Sequence, residues 1–178
     1  MAHYYDLVMV LLTLGREKTL RKMTLDLGQV RPGDKVLEIG CGTGTLTLAA
    51  KVRVGASGEV VGIDIAPEMV EVASRKATRK GIDADFQAGS IEKIPFPDHS
   101  FDAVLCSFMI FHMPDAIRRK GFKEIYRVLK SGGHLFIIDT VDLHELSPVL
   151  KENSFTEIET TRAKLNFIKI WALLMKAE

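Results

Sequence analysis

Apolar positions along this chain come in two kinds of stretch, and the two kinds alternate. Residues 36–39, 59–63, 84–88, 101–106 and 134–139 are short, mostly apolar runs, the mark of strands buried on both faces. Between them, 45–54, 67–80 and 114–130 carry helical spacing, with Ile117, Phe122, Ile125, Val128 and Leu129 approximating one face of the third. The punctuation agrees. Arg31-Pro32-Gly33-Asp34 reads as a turn before the first strand, and Gly55-Ala56-Ser57-Gly58 ends the first helix. Pro67 suits a first helical turn, Gly81 a helix end, and Gly132-Gly133 is read as closing the third helix. A short helix over 145–152 and two closing strands, 155–161 and 165–174, complete the pattern. The predicted fold is α/β: a Rossmann-like three-layer sandwich whose seven-stranded sheet is mostly parallel, with an antiparallel C-terminal edge. One domain over 1–178 is expected, with a helical cap at 1–30 and a core at 31–178.

Composition narrows the function. Of the 178 residues, 47% are apolar, enough for a full core. The net charge of +1 argues against a nucleic-acid partner, which calls for a basic excess on one face. Arg118, Arg119, Lys120, Lys123 and Arg127 are read as a solvated helix face. Two cysteines and no secretory signal predict a reducing, cytoplasmic setting rather than a disulfide framework. The apolar stretch 7–14 is too short to cross a bilayer. No histidine spacing suits a metal, so none is expected.

The candidate chemistry gathers at one sheet edge, because an open parallel sheet binds ligands beyond the carboxyl ends of its strands. The first strand presents Glu38 and Gly40 there, the second Asp64, the third Gly89-Ser90, the fourth Cys106-Ser107 and the fifth Asp139. Asp34 and Asp102 lie at the opposite strand ends and are read as structural. A dinucleotide fingerprint places glycine at its first, third and sixth positions; counting from Gly40, the sixth is Thr45, and the pattern fails. What stands instead is Gly40, Gly42 and Gly44. A carboxylate at Asp64 can accept from both hydroxyls of a ribose, or cap the helix that begins at Pro67. Glu38, inside an apolar run, needs a partner: a ligand's ammonium, or backbone amides of the glycine loop. A ribose, an ammonium and a sulfonium without phosphate suit two acidic side chains better than NAD does. S-adenosylmethionine has that composition.

VLEIGCGTG (36–44), VVGIDIAPEMVEVA (60–73), IPFPDHSFDAV (94–104) and EIYRVLKSGGHLFI (124–137) together resemble the class I S-adenosylmethionine-dependent methyltransferases over nearly the whole chain. Within them the chain is most similar to the branch of the ubiquinone/menaquinone biosynthesis C-methyltransferases, and YDLVMVLLTLGREKTLRK (5–22) is also reminiscent of it. The resemblance implies that Gly40, Gly42 and Gly44 line the methionine and ribose and that Asp64 holds the ribose hydroxyls. It implies that Ile65 and Met69 pack on the adenine, that Gly89, Ser90 and Ile91 meet its edge, and that the Cys106 backbone meets the amino-acid end. The chain departs from that branch at Ser90, where many relatives carry Asp, and at Val10-Leu11, near the usual Asn-Asp pair. Ile110-Phe111-His112-Met113 replaces Leu-Arg-Asn-Val, and the segment 140–154 is short where relatives place a substrate lid.

Methyl transfer from a sulfonium is an in-line displacement in which alignment and exclusion of water are the protein's main tasks. A base is optional. His112 and Asp139 are the candidates for one, with packing or capping as their structural alternatives; Tyr4 and Tyr5 are candidate substrate contacts. Cys41 and Cys106 are read as packing residues, not nucleophiles. The stretch 4–14 reads either as a lid over a lipophilic acceptor, in peripheral contact with a membrane, or as a helix packed on the sheet. The expected activity is methyl transfer to a small, lipophilic or aromatic acceptor. A cofactor-holding module serving a partner subunit and a nicotinamide oxidoreductase are the alternatives, the second disfavoured by Thr45.

Overall fold

The computed structural model describes residues 16–165 and 168–178. Helix α1 (Glu17–Leu27) leads into β1 (Lys35–Ile39), α2 (Thr45–Val54), β2 (Glu59–Asp64), α3 (Pro67–Lys80), β3 (Asp85–Ala88) and β4 (Phe101–Ser107). A 3-10 turn (Ile110–His112), α4 (Asp115–Val128), β5 (Leu129–Asp139), a second 3-10 turn (Leu143–Leu146), α5 (Ser147–Glu152), β6 (Phe155–Leu165) and β7 (Ile168–Ala177) follow. The seven strands form one sheet in the order β3-β2-β1-β4-β5-β7-β6. β1 to β5 pair in parallel, whereas β7 pairs antiparallel with both β5 and β6.

Alternation along each strand divides the core into two layers. Val36, Leu105, Phe136 and Ile138 face Leu20 and Leu25 of α1 and Leu46, Ala50 and Val54 of α2. Leu37, Ile39, Val104 and Ile137 face Phe122, Ile125 and Val128 of α4 and Leu150 of α5. Burial on both faces is why these strands read as apolar runs. Glu38 points into the first layer and breaks its run.

Two sequence expectations change. The backbone leaves the helix at Leu129 (φ −73°, ψ 138°), so Gly132-Gly133 falls inside β5 and does not close α4. Leu129 pairs with Phe101, then the register shifts before Ala103 meets His134; a turn of glycines within the strand absorbs the extra residues. The closing hairpin is also longer than its apolar pattern. Arg162 pairs with Trp171 level with Asp139, where β5 ends, and the pairing runs on past it to Leu165 and Ile168. β6 is an edge strand rich in Glu, Thr, Arg and Lys, so hydropathy does not mark its length.

Arg127 is not part of a solvated face. Its guanidinium donates to the carbonyls of Ile94 (2.9 Å) and Phe96 (2.8 Å), to both oxygens of Glu124 and to Asp98. Glu124 in turn accepts from the Ile94 amide at 2.9 Å. The cluster pins the β3–β4 connection onto α4. Arg118 likewise pairs with Asp115 and stacks on Phe111, whereas Arg119 and Lys120 reach out to Glu152 and Glu92. At the far edge of the sheet, Asp34 accepts from the Arg31 amide and Asp102 from the Lys35 amide and Lys130, the structural roles expected of both. Replacing Arg127 with Met removes the guanidinium bonds to the Ile94 and Phe96 carbonyls and to Glu124 and Asp98 and should cost about 1.5–3 kcal/mol of stability, read as a lower urea midpoint at constant m-value.

Candidate functional site

The sheet order reverses between β1 and β4, and the chain opens a cleft beyond the strand ends there, where open α/β sheets bind ligands. The glycine bend after β1 is tied to the end of β2. Gly40 and Cys41 amides donate to the Ile63 carbonyl at 2.8 and 3.0 Å, and the Gly42 amide donates to Asp64 Oδ2 at 2.8 Å. Asp64 Oδ1 accepts from the Ala66 amide at 3.0 Å. Asp64 therefore closes its own turn and does not reach the first turn of α3. Each of its oxygens retains a second lone-pair site.

The cleft has two compartments. The larger is about 360 Å³, within the usual range of small-molecule sites of roughly 300–1,000 Å³. Gly42, Asp64, Ile65, Met69, Gly89, Ser90 and Ile91 line it, with Ser107, Phe108, Met109, Met113 and Ile117 opposite. Ile65 is 79% exposed, an apolar lip over the opening. Among the described residues the lining contains the carboxylates of Asp64 and Glu92 and no Lys or Arg. The smaller compartment, about 60 Å³, lies under α1 and is lined by Glu17, Arg21 and Thr24 together with Glu38, Cys41 and Thr45. Gly40, Ser107 and Phe108 border both, so they form the neck between them.

Glu38 is 3% exposed and accepts from the Thr47 hydroxyl of α2, a partner that neither sequence reading of this residue foresaw. Burial pushes its carboxyl up to about 8; the Thr47 bond pulls the other way and the nearby Asp64 charge adds to the rise. A cation in the smaller compartment would ionise it. The thiols of Cys41 and Cys106 are pushed up by burial, which removes nucleophile character at neutral pH.

Several expected site residues lie elsewhere. Gly44 borders neither compartment. It stands at φ +74°, and a Cβ there would come within 2.6 Å of the Phe86 ring and 2.8 Å of Ala73, so it serves packing of the bend against α3 and β3. Cys106 is 1% exposed within the core and lines no wall; Ser107 and Phe108, one and two residues on, take that place. His112 is exposed at the end of its 3-10 turn and borders neither compartment. Asp139 is 5% exposed and accepts from the Thr140 amide through Oδ1, while its Oδ2 has no partner among the described residues. Asp139 is not in the lining either. Tyr4 and Tyr5 fall outside the described residues. Ser90 reaches the larger compartment, but its hydroxyl oxygen already accepts from the Glu92 amide at 3.2 Å. Among the described residues no cluster of His, Cys, Asp and Glu could hold a metal, and no helix is long and apolar enough to cross a membrane.

The sequence reading missed Glu17, Arg21 and Thr24 on α1 and the wall of Met109, Met113 and Ile117. Glu17, Arg21 and Thr24 recur at intervals of four and three, the spacing of one helix face, which was the available signal on α1; Met109 and Met113 lie outside any helix and carried no such signal.

Residues 36–133 match the family model described as "Methyltransferase domain". A demethylmenaquinone methyltransferase of Lactobacillus johnsonii is 36% identical over 152 residues, which is 84% of this chain and 61% of that protein. A ubiquinone/menaquinone biosynthesis C-methyltransferase, UbiE, of Pasteurella multocida is 36% identical over 137 residues, 76% of this chain and 50% of that protein. The chain thus spans between half and three-fifths of the length of these curated relatives. The crystal structure of a SAM-dependent methyltransferase from Aquifex aeolicus superposes with a TM-score of 0.79 at 21% identity, covering 89% of each chain, which shows the shared fold.

The proton held by Glu38 has a consequence for stability. An unfolded glutamate releases it near 4.5, whereas the folded chain keeps it to about 8. Folding is therefore favoured most at low pH and loses this contribution as pH rises across that window. His134, whose pKa is lowered by burial, works in the opposite sense. The difference between wild type and Glu38→Gln isolates the effect: between about pH 5 and 8 the wild-type urea midpoint should fall relative to the variant. Parallel midpoints would rule it out.

Proposed function

The chain belongs to the methyltransferase-domain family, and on that premise we propose that it uses S-adenosylmethionine to methylate a small, lipophilic acceptor. One observation carries the cofactor assignment. The larger compartment offers carboxylates and no cation, so a pyrophosphate would be repelled there, whereas a ribose and a cationic sulfur are welcome. This disfavours a dinucleotide on charge, as Thr45 does on sequence. Asp64, aimed by two amides, would accept the ribose hydroxyls. Ile65 and Met69 would cover the adenine, with Gly89, Ser90 and Ile91 at its edge. Gly42 would border the ribose and Gly40 the amino-acid chain. Glu38 would receive the ammonium, directly or through water, which repairs its burial without a charge partner. When bound, this cofactor supplies a methyl group already activated by the positive sulfur.

The residues of this chain then align and dry the site. Met109, Met113 and Ile117 form an apolar wall that would receive a lipophilic ring and exclude water. Holding acceptor and donor in line supplies up to roughly 7–11 kcal/mol of barrier lowering in the best-oriented cases. No general base is assigned, since neither His112 nor Asp139 borders the compartments. The names of the relatives favour a quinone-type ring as acceptor and ring carbon as the methylated atom.

Two measurements test this reading. Transfer of a labelled methyl group to demethylated quinones or naphthols should be observed; binding of S-adenosylmethionine without transfer to any member of such a panel would overturn the enzyme assignment. Calorimetry on Asp64→Ala should show weaker cofactor binding, by about 1.5–3 kcal/mol for each charged hydrogen bond lost, or roughly 10- to 150-fold. Unchanged affinity would remove the ribose assignment.

A further inference from the structure

Resting on the cofactor reading above, the two-compartment shape of the cleft points to a role for a residue that no motif marks. In S-adenosylmethionine the sulfonium is the atom joining the nucleoside to the amino-acid chain. A nucleoside held by Asp64 fills the larger compartment, and an ammonium held by Glu38 fills the smaller. The sulfur must then pass the neck, which among the described residues Gly40, Ser107 and Phe108 share. Gly40 has no side chain and Ser107 a small one. Phe108 is the aromatic residue of the three.

Its backbone is also unusual. Phe108 stands at φ +54°, a left-handed region that bulky residues avoid. Its amide donates to the Ile138 carbonyl at 2.9 Å, so the end of β5 holds the strained residue in place. The turn after β4 brings Phe108 to the border of both compartments, its side chain packed on the layer of Leu20, Leu25 and Leu46, and sets Met109 against Gly40, whose Cβ would lie 3.1 Å from that side chain.

We propose that Phe108 is the residue that senses charge on sulfur, its ring attracting the sulfonium of the donor and not the neutral thioether of the product. An aromatic face favours a cation through its quadrupole, and more so in a dry neck than in water. Methyl transfer removes that charge: the acceptor's electron pair forms the new bond to the methyl carbon, and the carbon–sulfur pair stays on sulfur. The attraction lapses at that moment, which favours exchange of product for fresh donor.

Calorimetry with two ligands tests it: S-adenosylmethionine, and S-adenosylhomocysteine, which lacks only the methyl group and the charge. Phe108→Leu should weaken donor binding by roughly 2- to 30-fold and leave product binding within about twofold. Phe108→Tyr keeps a ring and should restore the donor preference. Phe108→Gly suits the positive φ and removes the ring without strain, so it reads the same loss should the Leu variant fold poorly. Equal weakening of both ligands in the Leu and Gly variants would overturn the proposal and leave the cofactor reading standing. Failure of the wild-type chain to bind either ligand would overturn the cofactor reading and this inference with it.

Discussion

The hydrogen bond from the Gly42 amide to Asp64 Oδ2 joins the two strands on which the candidate site depends. β1 and β2 are adjacent in the sheet, yet their ends diverge into different connections. Without a tie, the glycine bend would be a loop with many conformations. The carboxylate, with the Ile63 carbonyl beneath it, fixes the bend over β2 and so fixes the neck, both compartments and the start of α2. The same carboxylate is the group best placed to accept from a ribose. One side chain thus shapes the bend before a ligand arrives and completes its own coordination when one does, a form of preorganisation.

Much of this was legible in the chain. Mostly apolar runs marked β1, β2, β4 and β5 because both of their faces are buried, and helix stops at Gly55 and Gly81 were visible because glycine ends helices for a local reason. Glu38 and Asp64 stood out as charges at the end of apolar strands. Less was legible where the cause is tertiary. β6 owes its length to pairing with β7, and β5 its early start to Phe101. Arg127 looked like surface charge because its carbonyl partners lie about thirty residues away in sequence. Gly44 carried the same motif signal as Gly40, but the Phe86 ring that demands it comes from another strand. Phe108 gave no signal at all, since nothing in a sequence reports a positive φ at phenylalanine.

Cofactor side and acceptor side differ in how they are built. The first rests on strand ends and backbone amides, which tolerate little change. The second, as proposed, is a wall of Met109 and Met113, which flank one 3-10 turn, and Ile117 at the start of α4, all apolar and two of them flexible thioethers. Methionine adapts to the shape it meets. Such a wall selects for lipophilicity more than for a fixed outline, and it contains no charged group to recognise an ionic acceptor.

The position of β7 bears on how the chain reaches its fold. It follows β6 in the chain yet lies between β5 and β6. During synthesis the ribosome releases β6 first, with no strand to join, because its only partner in the sheet is β7. The outer rim of β5 stays open over the same interval. β6 therefore joins the sheet only through β7, so the antiparallel side is completed by the last strand, whereas the strands of the parallel side precede it in the chain.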